Sequence, residues 1–173
     1  MTPLEQHIRK WMERAIADYG LLEPGGRVAV GVSGGRDSLV LMHLMQGPFV
    51  GAPEGYRAQF VHIEHGFPDS RADELREWAA ARGVELRTVE RGIYAEIAQS
   101  KKRPCFICAR RRRRALLETA RELGCNTIAL AHNRNDVVES FLLGVIYSRE
   151  IASMLPKQSL FRGLFHVVRP FYY

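Results

Sequence analysis

One short stretch constrains this chain more than any other: Ser33-Gly34-Gly35-Arg36-Asp37-Ser38. It follows Val28 to Val32, an apolar, β-branched run of the kind that forms a buried parallel strand. It precedes Leu39 to Met45, an apolar helical segment. A glycine loop between strand and helix is suited to holding an anion. Gly34 and Gly35 admit backbone conformations closed to other residues. Successive N–H groups can then turn inward, and the following helix adds the positive end of its dipole. The hydroxyls of Ser33 and Ser38 can donate to phosphate oxygens. Asp37 would repel a phosphate unless a cation lay between them, so it implies Mg²⁺. The loop lacks G-x-x-x-x-G-K and G-x-G-x-x-G, which argues against a γ-phosphate kinase or a dinucleotide enzyme.

The rest of the chain alternates in the same manner. Leu4 to Tyr19 has helical spacing, and Pro24-Gly25-Gly26 ends that unit. Strands are expected at Phe60–Ile63, Glu85–Val89 and Thr127–Ala131, with a last apolar run at Phe165–Val168. Helices are expected at Asp69–Arg82, Arg110–Leu123 and about Asp136–Ile146, the second closed by Gly124. This alternation predicts an α/β fold: a parallel twisted sheet with helices on both faces and ligands at the carboxyl ends of the strands. The 173 residues suit a single domain over 1–173, the helix at about 4–19 included. The formal charge of +6 suits an anionic partner such as nucleic acid, and Arg110 to Arg114 form an unbroken basic run. No signal-like or membrane-spanning apolar run is visible, so a cytoplasmic location is expected.

The loop matches S-G-G-x-D-S in full, and the chain therefore resembles the PP-loop ATP pyrophosphatase superfamily, whose fold is adenine nucleotide α-hydrolase-like. Four further places narrow the resemblance to tRNA 2-thiocytidine synthetases. They are Ala15 to Tyr19 before the Pro24-Gly25-Gly26 turn; Cys105 and Cys108 followed by Arg112 and Arg113; Ala131-His132-Asn133-Arg134-Asn135-Asp136; and the segments Met154 to Lys157 and Val167 to Pro170. The resemblance implies that Ser33, Gly34, Gly35, Arg36, Asp37 and Ser38 hold the pyrophosphate part of ATP. It implies a backbone contact to adenine at Ile63 and a phosphate contact at His132. Asp37 and Asp136 would bind Mg²⁺, with Asn135 standing where the family more often has a first Asp. The implied reaction adenylates a tRNA cytidine at its carbonyl oxygen, releases pyrophosphate, and lets a sulfur nucleophile displace AMP.

Cys105 and Cys108 are spaced to bind one metal ion or cluster. By resemblance they are two of three ligands of a 4Fe–4S cluster, and together with Arg112 they join Asp37 and Asp136 as catalytic candidates. The family's third cluster cysteine lies beyond the Arg-Pro segment; Cys125 reads instead as a small buried residue. A homodimer could complete a cluster with cysteines from two chains, and a sulfur donor is required as a partner. Arg112 and Arg113, which match family positions, are favoured for substrate or phosphate contact, while other arginines of the run are expected to pair with Glu118 or Glu122 or to remain solvated. His62 is expected to be structural. Lysidine synthesis, which needs no cysteine pair, a non-catalytic ATP-binding module and a zinc-dependent nucleic-acid binder are the competing readings.

Overall fold

The computed structural model describes residues 2–47, 49–98, 104–149, 151 and 153–173. Helix α1 (Pro3–Tyr19) leads into strand β1 (Arg27–Gly31), then α2 (Arg36–Met45), β2 (Arg57–Glu64), α3 (Ala72–Ala80) and β3 (Leu86–Glu90). Next come α4 (Ile93–Ala98), α5 (Pro104–Glu122), β4 (Thr127–Ala129), α6 (Arg134–Leu143), β5 (Lys157–Leu160) and β6 (Phe165–Val168). The sheet order is β3-β2-β1-β4-β6-β5. Five strands are parallel, and β5 pairs antiparallel with β6 at the edge. The expected parallel sheet is therefore correct for all but this one strand.

Burial explains the order. The central strand β1 carries Val28, Ala29 and Val30, all nearly inaccessible. Side chains alternate across a strand, so β1 feeds both layers. Val28 and Val30 join Leu41, Met42, Leu44 and Met45 of α2 and Met12, Ala15 and Ile16 of α1 on one face. Ala29 joins Ala115, Leu116 and Ala120 of α5 on the other. Each fully buried Leu or Met there contributes about 1.5–3 kcal/mol.

Local signals set the helix ends. Thr2 caps α1 through a reciprocal box with Glu5, Pro3 sits in its first turn, and Gly20 closes it in the left-handed conformation. Helix α5 begins at Pro104, upstream of the expected start at Arg110, so Cys105 and Cys108 lie on its first turns and not on a preceding loop. Helix α3 begins at Ala72 and not at Asp69, because Asp69 and Ser70 belong to a turn tied to Glu64.

Candidate functional site

The site lies above the carboxyl ends of β1, β2, β4 and β6, where a topological reversal opens a crevice between β1 and β4. The loop from Ser33 to Ser38 forms its floor. Gly34 takes φ +86°, so this position does require glycine. Gly35 has φ −74° and caps α2 without a side-chain bond; its conformation is open to other residues, contrary to the expectation for both glycines. The hydroxyls of Ser33 and Ser38 are spent inside the loop. Ser38 Oγ accepts from Ser33 N–H at 3.1 Å and donates to Gly35 O at 2.8 Å. Ser33 Oγ donates to Ser38 Oγ at 3.1 Å and accepts from Gly35 N–H at 3.3 Å. Ser38 is buried and braces the loop rather than presenting a donor to a ligand. The free donors are the first-turn amides of α2, which have no intrahelical partner. An anion seated there would supply the missing cap. Arg36 and Asp37 are exposed beside it.

Helix α6 delivers the second half of the site. Asn133 caps it, accepting from Asn135 N–H at 2.8 Å and Asp136 N–H at 3.4 Å. Asp136 Oδ2 accepts from Asn133 N–H at 2.8 Å. The Asn133 amide also donates to Asp37 Oδ2 at 3.0 Å. One asparagine thus holds two carboxylates that are far apart in sequence, each keeping an oxygen for a hard cation. Mg²⁺ takes one or two carboxylates and completes its shell with water and substrate phosphates, so this donor set fits it. Among the described residues no group of three or more His, Cys, Asp or Glu is placed to hold a metal unaided. Sequence reasoning misses Asn133 as a site residue, although the pattern Asn133-x-x-Asp136 is a capping box readable in sequence.

A cleft of about 600 Å³ opens beside the loop, lined by Ser33, Gly34, His65, Phe67, Leu75 and Trp78 among others. Its size and mixed lining suit a nucleotide. Ile63 is buried in β2, in the core with Ala29 and Ile128, and it is its neighbours His62 and Glu64 that line the cleft. His62 is buried, and its Nδ1 lies 2.7 Å from Val32 O, as a structural histidine should. Burial works against the charged form of Glu64, but its bonds from the Ser70 hydroxyl and Gly66 N–H outweigh this and hold its carboxyl below the usual range. Burial, then the nearby Arg112 guanidinium, pushes the His65 imidazole down.

The cysteines separate as expected. Cys105 is exposed, Cys108 half-buried and Cys125 buried. Burial pushes the Cys125 thiol up. It lies past the far end of α5, about 20 Å of helix from Cys108 at about 1.5 Å per residue. Among the described residues, Cys105 and Cys108 thus lie three residues apart on α5, with no third cysteine beside them. Within the arginine run, Arg111 pairs with Glu96 and Arg114 with Glu118. Glu122 pairs with Arg87 of β3, not with the run. Arg112 and Arg113 have no carboxylate partner among the described residues. His132 is half-buried, and its Nδ1 is buried without a hydrogen-bond partner.

A family model described as a PP-loop domain matches residues 4–173. The tRNA-cytidine(32) 2-sulfurtransferase of Geotalea daltonii is 37% identical, over 98% of this chain and 69% of that protein. The enzyme of the same name from Syntrophotalea carbinolica is 40% identical, over 98% of this chain and 67% of that protein. The chain thus spans about two thirds of the length of these relatives. Among solved structures, the U34-tRNA thiolase NcsA from Methanococcus maripaludis, determined with its 4Fe–4S cluster, superposes with a TM-score of 0.73 at 20% identity. That match covers 96% of this chain and 59% of NcsA. An NH3-dependent NAD synthetase from Campylobacter jejuni superposes with a TM-score of 0.52 at 16% identity, over 76% of this chain and 56% of its own. These two likenesses establish a shared fold. No helix among the described residues is long and apolar enough to cross a membrane. Sequence identity over nearly the whole chain and the complete S-G-G-x-D-S loop lead to one assignment: the chain belongs to the PP-loop domain family and, within it, to the tRNA-cytidine(32) 2-sulfurtransferases.

Proposed function

We propose that this chain carries out the ATP-dependent activation step in thiolation of a tRNA cytidine. The observation that carries the reading is the Asp37–Asn133–Asp136 bridge above the uncapped amino end of α2. That arrangement pairs an anion-binding helix end with two carboxylates able to hold Mg²⁺ over the same anion. In this reading the α2 amides bind the β- and γ-phosphates of ATP. Asp37 and Asp136 would hold Mg²⁺, whose charge would offset that of the departing pyrophosphate. The cytosine carbonyl oxygen bonds to the α-phosphorus as the bond to the β-phosphate oxygen breaks. A sulfur nucleophile then adds at the activated carbon, and AMP leaves.

Arg36 would screen the phosphates, and Ile63 would contact adenine through its backbone. Cys105 and Cys108, on the first turns of α5, would deliver the sulfur in this reading. The cluster they would share needs ligands from outside this chain's own cysteines, so no step is routed through it. The same reading takes in a separate sulfur donor, tRNA as partner, a cytoplasmic setting, a homodimer and one functional unit over 1–173.

The test is pyrophosphate release from ATP in the presence of tRNA, followed by nucleoside mass spectrometry. Wild-type protein should release pyrophosphate in a tRNA-dependent manner, and Asp37→Ala should lose at least about a hundredfold. Normal release by Asp37→Ala would overturn the mechanism. Cells lacking the gene should lose 2-thiocytidine from their tRNA.

A further inference from the structure

His62 and Glu64 stand two residues apart on β2, so their side chains leave the same face of the strand. Both line the nucleotide-sized cleft, and the two side chains are only 8% and 13% exposed. A carboxylate withdrawn this far from water is costly unless its oxygens are engaged. Among the described residues Glu64 has no arginine or lysine partner, and its bonds go to one loop instead. Its Oε1 accepts from Gly66 N–H at 2.8 Å, and its Oε2 accepts from the Ser70 hydroxyl.

These bonds are part of a ring of contacts around the cleft. On one side, His62 Nδ1–H donates to Val32 O at 2.7 Å, at the root of the Ser33–Ser38 loop. Its Nε2 faces Glu64 Oε2 at 3.7 Å. On the other side, Ser70 Oγ accepts from Ala72 N–H at 3.3 Å, at the start of α3. Helix α3 then carries Leu75 and Trp78 into the cleft wall. Leu75 Cδ2 returns to Gly34, 3.8 Å from where a Cβ would stand. Among the described residues no hydrogen bond joins the Ser33–Ser38 loop directly to residues 65–71. The polar connection between these two walls runs through His62 and Glu64.

We infer that Glu64, acting with His62, is a positioning residue for the nucleotide. It sets the spacing between the α3 wall of the cleft and the α2 amides that receive the phosphates. This role rests on the cleft being the ATP site. A ligand that spans both walls gains from a spacing fixed in advance, because less order must be imposed on binding. A ligand that needs only the Ser33–Ser38 loop gains nothing from it. ATP is of the first kind and inorganic pyrophosphate of the second, so the two separate positioning from a general loss of structure.

The experiment measures calorimetric affinities of the full chain for ATP and for inorganic pyrophosphate, both with Mg²⁺, and amide hydrogen exchange without ligand. Glu64→Gln should bind ATP at least about tenfold more weakly, the loss expected when hydrogen bonds lose a charged acceptor. Its affinity for pyrophosphate should stay within about twofold of wild type. Ser70 is exposed, so its variants should fold even if Glu64→Gln does not. Ser70→Ala removes one donor from the same carboxylate and should weaken ATP binding about three- to tenfold. Ser70→Thr keeps the hydroxyl and should restore it. Without ligand, exchange at the Gly66 and Ala72 amides should accelerate in Glu64→Gln and Ser70→Ala, while Val28 to Val30 stay protected. Equal weakening of ATP and pyrophosphate, unchanged ATP affinity in the variants, or a Ser70→Thr protein as weak as Ser70→Ala would each overturn the role. Wild-type protein that binds pyrophosphate but not ATP would sink the ATP reading of the cleft. Exchange then decides the inference alone: accelerated Gly66 and Ala72 amides keep Glu64 as the tie between the walls, and unchanged ones overturn it.

Discussion

Asn133 serves two purposes that substitution can separate. Its side chain caps α6, and its amide nitrogen ties Asp37 to the same corner. Serine is as good a cap as asparagine but lacks the second donor. Asn133→Ser should therefore unfold within a few tenths of a kcal/mol of the wild type and yet release pyrophosphate more slowly. Asn133→Ala should show both defects, losing about 1 kcal/mol of stability as well. Urea denaturation and pyrophosphate release measured on both variants check this; equal activity of wild type and Asn133→Ser would remove Asn133 from the positioning role. The glycines make a matching pair. Gly34 sits at φ +86°, where any Cβ is strained, whereas Gly35 lies in ordinary territory, where an added Cβ would meet Ser33 Oγ at 3.4 Å. Gly34→Ala should cost about 1–2 kcal/mol, and Gly35→Ala less than half of that in the same denaturation assay. The S-G-G-x-D-S spacing makes the loop legible in sequence. It cannot reveal which glycine bears the left-handed turn, nor that Ser38 faces inward, because both depend on how α2 docks on β1.

Elements are legible in proportion to how much apolar pattern each carries. β1, β4 and β6 read clearly from Val, Ile and Ala runs because both of their faces are covered. β5, with the sequence Lys157-Gln158-Ser159-Leu160, carries no such pattern; it exists because the edge of β6 needs a partner for its backbone. Helix α4 is hidden for a similar reason, being six residues long with Ile93 its one buried side chain. Helix α6 raises the opposite problem. It is apolar, yet none of its residues is buried, and Phe141, Leu142 and Leu143 remain exposed, followed by Ile146 and Tyr147 in the π-helical turn Gly144–Ser148. Periodicity alone reads this stretch as an ordinary helix from Asp136 to Ile146 and cannot tell that its apolar side meets solvent. Such a surface stabilises nothing in the isolated chain. Leu143→Gln and Ile146→Gln should shift unfolding by no more than about 0.5 kcal/mol while reducing binding of a hydrophobic dye. Met42→Ala, in the core of α2, should cost about 2–5 kcal/mol in the same assay. A large loss from the α6 variants would mean that this face is packed in solution.

At the scale of the whole molecule, charge is distributed unevenly about the sheet. The faces are apolar and the helices carry ordinary surface pairs such as Arg14–Asp18 and Arg114–Glu118, worth little individually. The carboxyl ends of the strands instead gather His65, His132, Arg112, Arg113 and Arg169 over one crevice. This concentration has a consequence for folding as well as binding. Both His65 and His132 are held below the ordinary histidine value of 6.5, burial being the largest cause for each and neighbouring guanidiniums adding to it. As pH falls through 6.5 the unfolded chain takes up protons at these positions before the folded chain does. Stability is therefore highest above about 6.5 and declines below it, continuing until the folded-state histidines also protonate. The linkage predicts that the urea midpoint of the ligand-free protein falls as pH is lowered through this window. Replacing both histidines with glutamine should flatten that part of the profile while leaving the midpoint above neutral pH nearly parallel to wild type. A midpoint that stayed level below about 6.5, or that fell equally in the double variant, would show that the histidines do not carry the charge strain of the site. The decline in the wild type, absent from the variant, would locate that strain at His65 and His132, where burial and neighbouring guanidiniums act together.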